Sequence, residues 1–121
     1  MKKTMAKYFK DSEFKCKCCG RLPAKGMNQK LLKVLDAIRE ELGVPMIVNS
    51  GFRCPNRNEA VGGATDSQHL LGTAADIKAA GIGVDRLAKI AEKHGATGIG
   101  KYYKQNFVHI DVRPSRARWV E

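Results

Sequence analysis

The sequence lacks any apolar run that approaches the roughly 20 residues needed to cross a bilayer. Its N-terminus carries lysines, as a signal peptide does, but no apolar stretch follows them. We therefore expect a protein that is made in the cytoplasm without a signal peptide and does not insert into a membrane. It would act outside a membrane only if something else releases it.

Aromatic residues are also scarce, at 7% of the chain, although the net charge is +10. Proteins that bind nucleic acid usually combine a compact basic stripe with aromatic side chains on which bases stack. Here the lysines and arginines are spread along the chain, so we expect no nucleic-acid partner. The charge favours other polyanions, such as phosphate-bearing cell-wall polymers or acidic murein peptides, unless the excess lysine only forms a solvated face.

The order of the predicted elements indicates a single α+β domain, with a small antiparallel sheet flanked by two main helices. Residues 1–27 contain a cysteine cluster and turn-forming residues, and we expect them to be irregular and packed on a domain of residues 28–121. Apolar residues at helical spacing predict one helix between Asn28 and Gly43 and a second over 84–94. Short apolar runs predict strands near 46–48, 72–77, 98–103 and 107–112, and the polar stretch 52–68 predicts a functional loop. We expect a monomer.

The three histidines of the chain are few enough for their positions to be informative. His69 ends the long polar loop, and Asp76 lies in an apolar segment, where a carboxylate is costly unless it is paired. His109 and Asp111 alternate with apolar residues and therefore share one face of a strand. Two imidazoles and a carboxylate suit an open zinc site. In the alternative interpretation no metal is bound: Asp76 caps a loop, and His109 is a half-buried histidine whose hydrogen bonds are satisfied. His94 suits the dipole at a helix C-terminus and is not expected to be a ligand.

Three motifs, in order along residues 28–119, resemble one known family. The string SQHLLGTAAD at 67–76 matches the S-x-H-x-x-G-x-A-x-D signature of the zinc D-alanyl-D-alanine carboxypeptidase and endolysin peptidase family. The segment SGFR at 50–53 resembles the S-G-[FY]-R segment of that family, and FVHID at 107–111 resembles its last-ligand strand. The family shares its metal-site fold with the hedgehog signalling domain, so the resemblance implies a hedgehog/D,D-peptidase-like fold.

The resemblance also implies a function and a set of site residues. His69, Asp76 and His109 would hold one catalytic zinc ion, and Arg53 would steady the substrate carbonyl or carboxylate as charge develops. Ser67 would orient the loop that carries His69. The implied activity is hydrolysis of peptidoglycan stem peptides or cross-links, by a D,D-carboxypeptidase or an endolysin-type murein endopeptidase. The alternative for Arg53 is a surface salt bridge.

One position departs from the family pattern. Many members place an Asp or Glu general base three residues before the last histidine ligand, where this chain has Asn106, which cannot accept a proton at neutral pH. We predict from the shared strand face that Asp111 is the base, although it would alternatively buttress a ligand histidine. A loop carboxylate, Asp66 or Glu59, is a second candidate. The third interpretation is a zinc-binding, non-catalytic cell-wall recognition module.

The four cysteines leave three interpretations open. Cys16 and Cys19 form a C-x-x-C knuckle that, with Cys54 as a remote ligand, would hold a second, structural zinc ion. A disulfide from the cluster to Cys54 would instead staple the N-terminal segment to the loop beside Arg53. Buried thiols are the third interpretation. Cys18 and Cys19 are adjacent, so they cannot easily both take part in a metal site or a disulfide.

Overall fold

The structure is a computed structural model that describes residues 7–16, 20–22, 26–54, 69 and 72–121. Its elements are, in chain order, a short 3-10 helix (Asp11–Glu13), α1 (Gln29–Leu42), β1 (Met46–Ser50), β2 (Ala74–Ala79), α2 (Val84–Lys93), β3 (Gly98–Tyr102), β4 (Phe107–Asp111) and β5 (Ala117–Val120). The predicted α+β class is confirmed. Within the described residues, neither helix is both long and apolar enough to cross a membrane.

Helix α1 begins and ends where the sequence predicts. The side chain of Asn28 accepts hydrogen bonds from the backbone N–H groups of Lys30 and Leu31, an N-cap that stabilises a helix by about 1 kcal/mol. The helix ends at Leu42, directly before Gly43, whose N–H donates to the carbonyl of Arg39. One face of α1 is buried in the core and carries Leu31, Leu32, Val34, Leu35 and Ile38.

The five strands form one sheet in the order β1-β2-β4-β3-β5. The first four pair antiparallel, as predicted, but β5 pairs parallel with β3, so the sheet is mixed rather than antiparallel. Strand β5 was not predicted, because its four residues include no apolar run long enough to signal a strand. Its pairing with β3 brings Trp119 opposite Gly100.

The two faces of the sheet have different roles. Ile77, Ile99, Val108 and Ile110 are buried and join the helices in one hydrophobic core. The opposite face carries the residues that alternate with them, because successive side chains of a strand point to opposite sides. Asp76 pairs with His109, His109 with Gly100, and Gly100 with Trp119, so one row across four strands lies on the polar face.

The N-terminal segment contacts this framework through its described residues. Phe9 and Phe14 are buried and belong to the core. The backbone N–H groups of Lys7 and Tyr8 donate to the carboxylate of Asp36 on α1, at 2.8 and 3.0 Å. These contacts hold the described part of the segment against α1, and the division of the chain at residues 27 and 28 stays a prediction.

Candidate metal centre

The three residues that the sequence singles out as metal ligands converge in the structure. His69, Asp76 and His109 are all buried, with their potential ligand atoms within 4.8 Å of one another. Oδ1 of Asp76 lies 3.2 Å from Nε2 of His69 and 3.1 Å from Nδ1 of His109. Tetrahedral zinc, with bonds of ~2.0–2.1 Å, places neighbouring donor atoms roughly 3.3 Å apart. The spacing and the donor types therefore fit a zinc ion.

Strand register positions two of these residues. Asp76 on β2 and His109 on β4 are direct partners across the ladder, where side chains on one face lie close together. His69 is brought to them by backbone contacts, since its carbonyl accepts a hydrogen bond from the N–H of Arg53 at 3.1 Å. The imidazoles of His69 and His109 meet edge to face, with centroids 5.0 Å apart.

Hydrogen bonds on the far side of each imidazole fix which nitrogen faces the centre. Nδ1 of His69 lies 2.7 Å from the carbonyl oxygen of Gly51, and Nε2 of His109 lies 2.7 Å from Oδ2 of Asp111. A carbonyl or carboxylate oxygen only accepts, so each of these nitrogens carries the proton and donates it. The other nitrogens, Nε2 of His69 and Nδ1 of His109, then present lone pairs to the centre. Metal-bound histidines in proteins are held in this way.

The electrostatics keep the carboxylate of Asp76 ionised. Burial raises the pKa of Asp76, but hydrogen bonds from His109 and His69, donated when both nitrogens of each ring carry protons, outweigh it, and the pKa of Asp76 is well below its usual value. Burial lowers the pKa of His109, but hydrogen bonds to Asp111 and Asp76 outweigh it and raise that pKa. Asp76 is therefore ionised at neutral pH, and its negative charge favours a bound cation.

Arg53 lies directly beside the ligand cluster. Its terminal nitrogen donates to Oδ2 of Asp76 at 3.3 Å, and its Nε donates to the hydroxyl of Ser50 at 3.2 Å. The side chain is only 15% exposed, which does not fit the alternative interpretation of a surface salt bridge. The guanidinium is thus fixed next to the carboxylate oxygen that does not face the two histidines.

Asp111 contacts His109 on the side of the ring that faces away from the other two candidate ligands. Its carboxylate is completely buried and accepts three hydrogen bonds from Arg113, from the backbone N–H at 3.1 Å, Nε at 2.9 Å and a terminal nitrogen at 2.6 Å. With the bond from His109 it accepts four. This carboxylate touches the ring nitrogen that faces away from Asp76. The geometry is that of a group that orients a ligand, and it gives no support to the prediction that Asp111 is the general base.

Comparison with known proteins agrees with this geometry. The model of the peptidase M15 family matches residues 7–111. The chain belongs to the peptidase M15 family. A zinc D-Ala-D-Ala carboxypeptidase of Streptomyces albus G is 46% identical over 87 residues, which are 70% of this chain and 34% of that protein. The peptidoglycan L,D-endopeptidase MepK of Escherichia coli (strain K12) is 36% identical over 77 residues, 60% of this chain and 42% of that protein. This M15 chain thus matches less than half the length of these relatives.

Other predicted residues of this M15 family member are placed as follows. Asn106 is exposed in the turn between β3 and β4, with a positive φ of 56°. His94 follows α2 as its C-cap, and its Nε2 lies 2.8 Å from a carboxylate oxygen of Glu41, outside the ligand cluster. Ser67 and the loop carboxylates Asp66 and Glu59 lie outside the described residues, so their predicted roles stay predictions.

The cysteine cluster is described in part. The backbone N–H of Cys54 donates to Sγ of Cys16 at 3.4 Å, so the N-terminal segment and the residue after Arg53 are in contact. Cys18 and Cys19 lie outside the described residues. The choice between a structural zinc ion, a disulfide and buried thiols stays open.

Two aromatic residues beside the candidate metal centre were not predicted from the sequence. The ring of Trp119 lies 4.9 Å from that of His109, and its Nε1 donates to the hydroxyl of Tyr102 at 3.0 Å. Trp119 is the single tryptophan of the chain, but it lies on the unpredicted strand β5. The glycines at alternate positions of β3, Gly98 and Gly100, were the available signal, because they leave room above the strand for other side chains.

Proposed function

We propose that this chain is a zinc-dependent peptidase that hydrolyses a peptide bond of bacterial peptidoglycan. The observation that carries the proposal is the pair of imidazoles held by Gly51 and Asp111, whose remaining nitrogens meet Oδ1 of Asp76. The names of its relatives support it, since one is a zinc D-Ala-D-Ala carboxypeptidase and another a peptidoglycan L,D-endopeptidase. We infer one catalytic zinc ion, with His69, Asp76 and His109 as its ligands.

Zinc in such a site supplies Lewis acidity and lowers the pKa of the water that it binds. The residues of the chain supply the remaining parts. The carbonyl of Gly51 and the carboxylate of Asp111 hold the two imidazoles in their metal-binding orientation. Arg53, fixed by Ser50 and Asp76, supplies a cation for a carbonyl or carboxylate of the substrate.

In this proposal the general base is neither Asp111 nor the residue at position 106. Asp111 has its oxygens occupied by His109 and Arg113, and Asn106 cannot accept a proton at neutral pH. We therefore propose a loop carboxylate, Asp66 or Glu59, for proton transfer. The exposed Asn106 also favours a second candidate function, a zinc-binding module that recognises the cell wall without cutting it.

The bond and the setting are part of the same proposal. A D,D-carboxypeptidase would release the terminal D-alanine, whereas a murein endopeptidase would cut within the stem peptide or a cross-link. We propose an endolysin-type enzyme that reaches the wall during lysis. The net charge of +10 would attract it to acidic stem peptides and anionic wall polymers.

The test is digestion of purified peptidoglycan, with released fragments separated and identified by mass spectrometry. We expect new peptide ends that form with zinc, disappear with a chelator and return when zinc is added back. His69→Gln should remove the activity, and His94→Gln, at a histidine outside the cluster, should leave it unchanged. Zinc binding by the wild-type protein without any new peptide ends would favour the non-catalytic module.

A further inference from the structure

The polar face of the sheet continues past the metal centre onto β3 and β5. His109 pairs with Gly100, and Gly100 pairs with Trp119. A Cβ at position 100 would lie 2.4 Å from two atoms of the Trp119 indole, a distance that real Cβ atoms do not show. Because residue 100 is glycine, the indole lies over the backbone of β3 and reaches the ring of His109.

Two contacts hold Tyr102 in a single orientation beside Trp119. Its ring stacks on that of Phe107, with centroids 4.4 Å apart and 11° between the planes. Its hydroxyl oxygen accepts the indole N–H of Trp119 at 3.0 Å. Tyr102 and Trp119 both remain partly exposed, so a bound molecule has access to them. A phenol that accepts from an indole keeps its own O–H to donate.

The electrostatic surroundings keep this phenol protonated. Burial raises the pKa of Tyr102, the hydrogen bond from Trp119 lowers it, and a hydrogen bond with the carboxylate of Glu121 raises it again. The negative charge of Asp76 also contributes to the increase, so the phenol is within electrostatic reach of the ligand cluster. Tyr102 is therefore a neutral donor at neutral pH.

Arg53 and Tyr102 lie on opposite sides of the proposed zinc ligands. Arg53 follows β1 and contacts Asp76 on β2, whereas Tyr102 is on β3, beyond His109 on β4. A peptide that runs across these strands would pass Arg53 on one side of the proposed zinc ligands and Tyr102 on the other. Backbone carbonyls of a peptide are the acceptors that both donors suit.

We propose that Tyr102 contacts the substrate, donating its phenol O–H to a carbonyl oxygen of the murein peptide, and that Trp119 is a positioning residue for this phenol. This inference rests on the proposed peptidase function and adds a binding position on the β3 side of the metal. On binding, the O–H turns from Glu121 to the substrate.

Tyr102→Phe removes the hydroxyl and keeps the ring that stacks on Phe107. Tyr103→Phe is a matched control, because the hydroxyl of Tyr103 bonds Asp85 on α2. With soluble muropeptides as substrate, we expect Tyr102→Phe to lower kcat/KM by about tenfold, the effect of one hydrogen bond. Zinc content should not change, and Tm should fall only slightly, because Tyr102 and Trp119 are partly exposed and water replaces the lost hydrogen bonds. Tyr103→Phe should match the wild type in kcat/KM.

Trp119→Phe distinguishes positioning from a purely structural role. It removes the indole N–H, so we expect a smaller loss, about threefold, in kcat/KM. The double variant should be no worse than Tyr102→Phe alone, because Trp119 acts through Tyr102. Additive losses would refute the positioning role.

The two proposals fail in different ways. If the wild type cuts muropeptides and Tyr102→Phe stays within twofold of it, the inference about Tyr102 is wrong and the peptidase function stands. If the wild type cuts nothing, the peptidase function is wrong, and calorimetric binding of the same muropeptides decides the role of Tyr102. Weaker binding by Tyr102→Phe would support a substrate contact, and equal binding would refute it.

Discussion

Replacing Asp111 by Asn separates two roles for this carboxylate at the candidate metal centre. The native carboxylate accepts one hydrogen bond from His109 and three from Arg113, and it is completely buried. An asparagine keeps the shape but replaces one acceptor oxygen with an NH₂ group. That group would face a donor, either the N–H of His109 or the guanidinium of Arg113.

The size of the effect follows from these contacts. A hydrogen bond to a charged group contributes about 1.5–3 kcal/mol, and a buried donor without an acceptor adds a further penalty. Arg113 is 29% exposed, so water compensates part of its loss. We expect a decrease of about 2–3 kcal/mol in the free energy of unfolding, which lowers Tm by roughly 10 °C for a chain of this size. Loss of a group that orients a metal-bound histidine weakens metal affinity by about 10- to 100-fold.

The assay combines thermal unfolding, a zinc competition titration and peptidoglycan digestion at low and at saturating zinc. An orienting role predicts lower Tm, weaker zinc binding and partial recovery of activity with added zinc. Asp85→Asn, at an exposed carboxylate on α2, is the control and should leave zinc affinity and activity unchanged. The orienting role would be refuted if Asp111→Asn kept zinc affinity and Tm but had no activity at saturating zinc. That result would restore Asp111 as the general base.

Three further predictions follow from the same site. Gly98→Ala should lower Tm and zinc affinity, because the new Cβ would lie 2.2 Å from the carboxylate of Asp111, whereas Gly83→Ala, with open space around it, should change Tm little. Zinc affinity should fall as pH decreases from about 8 to about 6, because protons compete for His109. Hydrogen bonds to Asp111 and Asp76 outweigh burial and raise the pKa of His109, so the fall should begin above the ordinary histidine value of 6.5; an affinity that is constant over this range would contradict the assignment. Chelation should lower Tm, because zinc at 100 times its Kd adds about 2.7 kcal/mol to the free energy of unfolding. A Tm that does not respond to zinc would rule out a zinc site in the folded protein.

Much of the fold could be predicted from local patterns. The apolar residues of α1 recur at helical spacing between a capping asparagine and a glycine, and the helix forms between them. Strand β4 alternates polar and apolar residues, so His109 and Asp111 had to share one face whatever their partners were. The order of these elements was sufficient for the α+β class.

The fifth strand and its contacts were not visible in the sequence. Strand β5 has four residues and pairs parallel with β3, and no local period reports such a pairing. Trp119 and Tyr102 are 17 positions apart, so their hydrogen bond exists only because β3 and β5 are neighbours. Whether a short strand forms depends on packing against its neighbours in the sheet, and those neighbours are determined by the fold of the whole domain.

At the candidate metal centre, too, some features were determined by the sequence and others by the tertiary structure. By itself the sequence determined which residue types could bind a metal, because imidazole and carboxylate chemistry, strand parity and the motif around His69 and Asp76 are local properties. Only the tertiary structure decided what lies behind each ligand: the carbonyl of Gly51 at His69 and the Asp111–Arg113 pair at His109. The physical reason is that the role of a carboxylate depends on which donors surround its oxygens. For Asp111 those donors come from the folded arrangement of strand and side chains, and they point to orientation of a ligand rather than proton transfer.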